Sequence, residues 1–195
     1  MDIAEFLRSI HTFDLLTVLT LFAFFLLGFM QGTIRRLLGI ASILFSFFLA
    51  VHVRAPLGAF LASNWTYIAR DYSYMVGFGT VFTAATIAFT VLIQGFYRKT
   101  TLFEKATFVD EIIGGVLGVL QALILIGAMI IILDTFFRVP GIAPDEDEFG
   151  LLRSIFDFYN GSQTAVIFRD NLVPGVFAIV GGFIPGEVRA FFPGA

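Results

Sequence analysis

The stretch GFMQGTIRRLLG, residues 28–39, separates two long apolar runs and decides how the chain is arranged. The connection is so short that the two runs must form an antiparallel hairpin. We expect Gly32 to end the first helix in a left-handed conformation and Thr33 to be the N-cap of the second. Arg35 and Arg36 then fall in the first turn, where cations oppose the helix dipole. Their position therefore indicates retention at the cytoplasmic side, near anionic headgroups, and not helix stabilisation.

The composition of the chain places this hairpin in a membrane protein. The 195 residues are 58% hydrophobic and 14% charged, and the mean hydropathy is +0.92. Soluble domains are about 45–50% apolar and about 25% charged. The chain has no cysteine for disulfides or thiolate sites, and its net charge of −3 offers no basic surface to nucleic acid. We expect an integral protein surrounded by the lipid bilayer.

Four apolar stretches have the length of a spanning helix, which needs about 20 residues. We predict an all-α membrane protein with four transmembrane helices and a C-terminal amphipathic, interfacial region. The predicted spans are residues 14–30, 34–53, 74–97 and 111–137. A transmembrane domain, residues 1–139, is thus followed by an acidic linker and tail, residues 140–195.

Positive charge is concentrated in the first and third loops, which predicts that these loops are cytoplasmic and both termini periplasmic. The two loops contain Arg35, Arg36, Arg98, Lys99 and Lys105. A smaller bias on the other side comes from Arg8, Arg54, Arg70 and Arg138. The second loop also contains a candidate aromatic belt formed by Trp65, Tyr67, Tyr72 and Tyr74.

The tail contains two apolar segments that do not have the pattern of a spanning helix. LLRSIFDFYN, residues 151–160, is amphipathic, which favours a helix lying on the membrane. LVPGVFAIVGGFIPG, residues 172–186, is short and rich in Pro and Gly, which is typical of an interfacial or re-entrant segment. The sequence leaves these last two alternatives open.

Each spanning helix carries a stripe of small or polar residues among bulky side chains. The first and fourth helices contain Gly-x-x-x-Gly pairs, Gly28 with Gly32 and Gly114 with Gly118, a spacing that lets backbones approach closely. The third helix has a polar stripe formed by Gly79, Thr83, Thr86, Thr90 and Gln94. Packing is the favoured interpretation of these stripes, and a polar path or binding cavity is the alternative.

Three acidic residues in or near the spans are candidates for function, because ionisable groups are costly there. Asp14 and Asp110 stand at helix starts, where capping and a functional role remain equally open. We also consider an ion pair between Asp110 and Arg35 of the hairpin. Asp134 precedes Arg138 by four residues, which predicts a structural pair.

The sequence gives little support to catalysis. Its two histidines, His11 and His52, lie near expected membrane ends, and none of the Gly-x-Ser-x-Gly, HExxH or P-loop motifs is present. We predict that the protein is not an enzyme and has no catalytic, cofactor or metal site.

Two stretches resemble the colicin V production protein family. They are FDLLTVLTLFAFFLLGFMQGTIRRLLGIAS and VDEIIGGVLGVLQALIL, with LDTF following. The shared features are the acid that opens the first helix, Gly32-x-x-Arg35, and Asp110-x-x-x-Gly114-x-x-x-Gly118.

The resemblance implies a multi-pass protein of the bacterial inner membrane linked to colicin V production and envelope maintenance. We expect a non-enzymatic accessory or scaffold role, with other membrane or envelope proteins as partners and a homo-oligomer as an open possibility. The alternative is a small oligomeric transporter or channel that uses the polar stripe of the third helix and the membrane acids.

Overall fold

A computed structural model describes residues 11–65, 70–96, 107–138 and 150–175. The described part of the chain is helical and contains no strand, which confirms the all-α prediction. Four long helices come first: α1, Thr12–Gln31; α2, Thr33–Asn64; α3, Arg70–Phe96; and α4, Thr107–Phe137. Two short helices follow, α5 at Gly150–Asn160 and α6 at Gln163–Ile167, and then a π-helical turn at Phe168–Leu172. Four of these helices are long and apolar enough to cross a membrane.

The hairpin between α1 and α2 turns on a single residue, Gly32. Its φ of 78° lies in the region that favours glycine, as predicted. Gly32 is also the N-cap of α2, so the prediction that Thr33 is the N-cap is wrong. The Thr33 side chain is not used for capping, because its hydroxyl donates a hydrogen bond to a residue of α4.

Helix α2 continues to Asn64, eleven residues beyond the predicted end at Val53. We placed Arg54 in the second loop, yet the structure keeps both Arg54 and Pro56 inside the helix. Pro removes one backbone donor, but it does not have to end a membrane helix. The predicted second loop is correspondingly shorter, because Tyr72 and Tyr74 belong to α3, while Tyr67 lies outside the described residues.

The chain forms two compact units. Unit 1 comprises Met1–Thr20 and Ile126–Ala195, and unit 2 comprises Leu21–Leu125. These units are defined by contacts, and each contains part of α1 and part of α4. The predicted division of the chain at residue 139 stays a prediction.

In unit 2, α2 packs closely against α3. Gly58 of α2 lies against Tyr74, so close that a Cβ at Gly58 would be 2.8 Å from the Cα of Tyr74. Phe47 packs edge-to-face on Phe78, with ring centroids 5.6 Å apart. Ser46 is fully buried, and its hydroxyl bonds back to the carbonyl of Ser42 at 2.7 Å, which satisfies it within its own helix.

In unit 1, α5 packs through one face against the ends of the long helices. Phe156 and Tyr159 are buried, and Phe156 lies 5.1 Å from Phe137 between ring centroids. Tyr159 also contacts Phe13 near the start of α1, at 5.7 Å. The predicted amphipathic helix over residues 151–160 is therefore present, with Phe156 and Tyr159 of its apolar side chains packed on protein. The part of the predicted segment 172–186 beyond residue 175 lies outside the described residues.

Candidate functional site

The first element of the candidate site is a close glycine contact between α1 and α4 within unit 2. A Cβ placed on Gly114 would lie 2.8 Å from the carbonyl carbon of Gly32, and a Cβ on Gly118 would clash with the carbonyl oxygen of Phe24. A Cβ on Gly28 would clash in the same way with the carbonyl oxygen of Gly114. Both Gly-x-x-x-Gly pairs therefore lie where two antiparallel backbones touch.

Asp110 lies at one end of this contact and is buried, with 1% of its surface exposed. The hydroxyl of Thr33 donates a hydrogen bond of 2.9 Å to the backbone carbonyl of Asp110. The Asp110 carboxylate lies against Gly32, where a Cβ would be 2.6 Å from Oδ2. The hairpin turn thus requires glycine for its φ and for its contact with Asp110. The ion pair of Asp110 with Arg35 stays a prediction.

The two adjacent arginines differ in their surroundings. Arg35 is half-buried, whereas Arg36 is only 5% exposed. The Nη1 of Arg36 donates a 2.7 Å hydrogen bond to Oε1 of Gln121 on α4, and its guanidinium lies 5.6 Å from the centre of the Phe24 ring. We predicted that both arginines stay at the cytoplasmic side near anionic headgroups, and that side stays a prediction. The Arg36 side chain lies among the helices of unit 2. No local sequence pattern identifies Gln121 as its partner, because the two residues are 85 positions apart.

In unit 1, Asp134 is the centre of a polar cluster that ties the end of α4 to the segment after α6. Arg169 binds it in bidentate fashion, with Nε to Oδ2 and Nη2 to Oδ1 both at 2.7 Å. The hydroxyl of Tyr159 donates to Oδ1 at 2.9 Å. The predicted partner Arg138 is present, but more distant at 3.7 Å and more exposed. The closer partner, Arg169, was missed because it lies 35 residues away in sequence.

The contacts of this cluster favour a charged Arg169 and a neutral, protonated Tyr159. Hydrogen bonding to Asp134 raises the pKa of Arg169, which keeps the guanidinium charged. Burial, with the charge of Asp134 second, raises the pKa of Tyr159, which keeps the phenol protonated as a donor. A planar guanidinium and a phenol thus satisfy one buried carboxylate.

Asp14 joins the start of α1 to the start of α6. Its Oδ1 accepts hydrogen bonds from the Thr164 amide at 2.8 Å and the Thr164 hydroxyl at 2.7 Å. Its Oδ2 accepts one from the Gln163 amide at 3.2 Å. Of the two readings left open for Asp14, the structure shows amide capping, but of α6 and not of its own helix.

A cavity of about 840 Å³ opens beside Asp14 in unit 1. Polar side chains of His11, Asp157 and Gln163 line it together with the apolar side chains of Phe158 and Ile167. His11 already accepts a hydrogen bond at Nδ1 from the Phe13 amide at 3.2 Å. The cavity combines a polar edge with apolar walls at the point where the two short helices meet α1.

We compared the sequence with models of known protein families. The family model described as Colicin V production protein matches residues 13–169, which is most of the chain. The chain belongs to the colicin V production protein family. The matched region includes the hairpin, the α4 glycines, Asp134 and its partner Arg169. The search of curated proteins and the search of solved structures found no match.

We predicted a polar stripe on the third helix, which is α3. The residues of this stripe do not share one buried face. Thr83 and Thr90 are exposed, Gly79 and Thr86 are half-buried, and nothing is described for the side chain of Gln94. The Thr86 hydroxyl is buried and has no hydrogen-bond partner among the described residues. Across all the residues that the structure describes, no three His, Asp or Glu side chains converge as metal ligands.

Proposed function

We propose that this protein is a non-enzymatic accessory or scaffold protein of the bacterial inner membrane that supports colicin V production or export and envelope homeostasis. Membership of the colicin V production family supports this role. Other membrane or envelope proteins are the partners that such a role requires. Homo-oligomerisation is compatible with it.

The observation that carries the proposal is the double attachment of the segment 150–175 to the long helices of unit 1. Asp14 fixes the start of α6 through two backbone amides and a hydroxyl. Asp134 fixes the π-helical turn through Arg169 and α5 through Tyr159. Acids that were candidates for chemistry are thus used to position two short helices, as expected of a scaffold.

The positioned helices present an apolar surface that a partner could contact. Leu151 is 77% exposed, and further exposed apolar side chains are Ile155, Phe158, Val166 and Ile167. The cavity beside Asp14 adjoins this surface through Phe158 and Ile167. An accessory protein needs such a fixed, partly apolar surface, because transient partners bind through apolar anchors surrounded by polar groups.

The proposed membrane topology of the protein rests on the charges of its loops. The odd loops, with their five Lys and Arg residues, face the cytoplasm, and both termini and the segment 150–175 face the periplasm. The apolar surface of α5 and α6 is then available to envelope proteins or to the outer leaflet.

Site-specific photo-crosslinking in native membranes tests the proposal. A photoreactive amino acid at Ile167 should capture a defined protein, and one at outward-facing Leu19 in α1 should capture lipid only. Asp134→Asn should abolish the Ile167 adduct without changing membrane insertion. Only lipid adducts at Ile167, with the Asp134 contact intact, would argue against a scaffold.

The alternative function, a small oligomeric transporter or channel, has one observation in its favour. The buried Thr86 hydroxyl is unpartnered among the described residues, as expected of a group that lines a polar path. The exposure of Thr83 and Thr90 speaks against a single buried path along α3. Thr86→Val should abolish ion or solute flux in proteoliposomes if this alternative holds, and have no effect on crosslinking at Ile167.

A further inference from the structure

Arg36 carries a charge inside a spanning helix, and the described residues do not neutralise it. Its side chain contacts the neutral amide of Gln121 and the Phe24 ring. No carboxylate of the described residues forms a salt bridge with it, and its Nε is buried without a hydrogen-bond partner. A buried charge in a membrane protein normally pairs with an opposite charge, because isolation from water is costly.

The orientation of Gln121 adds further donors to this cluster. Arginine has only donors, so the Gln121 oxygen must face it. The Nε2 of Gln121 therefore points elsewhere, toward Gly39, where a Cβ would lie 2.8 Å from it. The side chains of Arg36 and Gln121 thus have an excess of N–H donors, a net positive charge and a single acceptor, which is already in use.

The position of the cluster limits what could neutralise it. Gln121 follows the buried Asp110 by eleven residues, about 16 Å along α4. A lipid phosphate at the membrane surface is poorly placed to reach that depth. Arg36 Nε is buried, and a doubly charged anion would lose more hydration on reaching it than a singly charged one.

We propose that Arg36 and Gln121 bind a small monovalent inorganic anion of the chloride type within unit 2. The Arg36 Nε–H and the Gln121 Nε2–H groups supply hydrogen bonds, and the guanidinium supplies the countercharge. This site goes beyond the accessory role and does not depend on it. The anion stabilises the packing of α2 on α4 at the level of Gly39.

Thermal unfolding of the purified full-length protein in detergent, titrated with sodium chloride against sodium gluconate at constant ionic strength, tests the site. Ligand that binds only the folded protein raises its Tm. Each tenfold increase in chloride above the dissociation constant should raise the Tm by roughly 3 °C. Arg36→Met should abolish the chloride effect, and the matched control Arg35→Met should retain it.

A second variant keeps the test decisive if Arg36→Met does not fold. Gln121→Glu is nearly isosteric and supplies a carboxylate to Arg36 in place of the anion. It should have a higher Tm than the wild type at low chloride and no chloride dependence. An equal chloride effect in the wild type and Gln121→Glu, or no difference between chloride and gluconate in the wild type, would overturn the proposal.

Discussion

At the scale of single residues, buried and half-buried acidic side chains hold the short helices to the long ones. Asp134 is matched by a bidentate guanidinium and a phenol, and Asp14 by two amides and a hydroxyl. Removing one partner from such a cluster leaves another polar group buried and unsatisfied, which costs more than the contact itself contributes. The largest losses of stability on mutation should therefore come from polar residues whose partners are far away in the sequence.

Asp134→Asn should destabilise the protein by about 3 kcal/mol, because it leaves Arg169 without its carboxylate. Tyr159→Phe should cost about 1 kcal/mol, the value of one hydrogen bond. Both values are measurable by reversible unfolding in mixed detergent micelles. The control is Arg138→Gln, since Arg138 is half exposed and 3.7 Å from Asp134; its cost should stay below about 0.5 kcal/mol. Equal losses for Arg138→Gln and Asp134→Asn would show that Arg169 is not the main partner.

At the scale of helices, the fold could be predicted where its cause is local. Gly32 fixes the hairpin through its own backbone, and the length of apolar stretches identified the four long helices. The predicted end of α2 was wrong because Arg54 was placed in a loop, whereas the helix continues past Arg54 and Pro56 although Pro56 lacks a backbone donor. The contacts Arg36–Gln121 and Asp134–Arg169 could not be predicted, because they depend on how segments far apart in the chain pack together. The periodicity of a single helix carries no information about that packing.

The glycine contact between α1 and α4 gives a prediction for these helices. Gly118→Leu should separate the backbones and destabilise unit 2 by about 3 kcal/mol or more, because the neighbouring atom is the backbone of Phe24, which cannot rotate away. Val116→Leu on the same helix is the control, since Val116 is 59% exposed. It should leave the unfolding free energy within about 0.5 kcal/mol of wild type. Comparable destabilisation by both variants would contradict a close contact at Gly118.

At the scale of the whole molecule, the loop charges predict the orientation in the membrane, and a sequence without cysteine makes that orientation easy to measure by cysteine labelling. Ser154 is exposed on α5, so Ser154→Cys should react with a membrane-impermeant maleimide in intact cells. Thr100→Cys, in the third loop predicted from the sequence, should react only after permeabilisation. The reverse labelling pattern would place the termini in the cytoplasm.

The proposed accessory function concerns the whole molecule, and the proposal rests on the attachment of the segment 150–175 through Asp134. The most direct measurement is the amount of colicin V released by a producing strain that lacks its own member of the family and expresses this protein. We expect the wild type to restore release and Asp134→Asn to fail, with Arg138→Gln as active as wild type and all three proteins at equal levels in the membrane. Full release with Asp134→Asn at that level would contradict the account, because release would then not depend on the positioned segment.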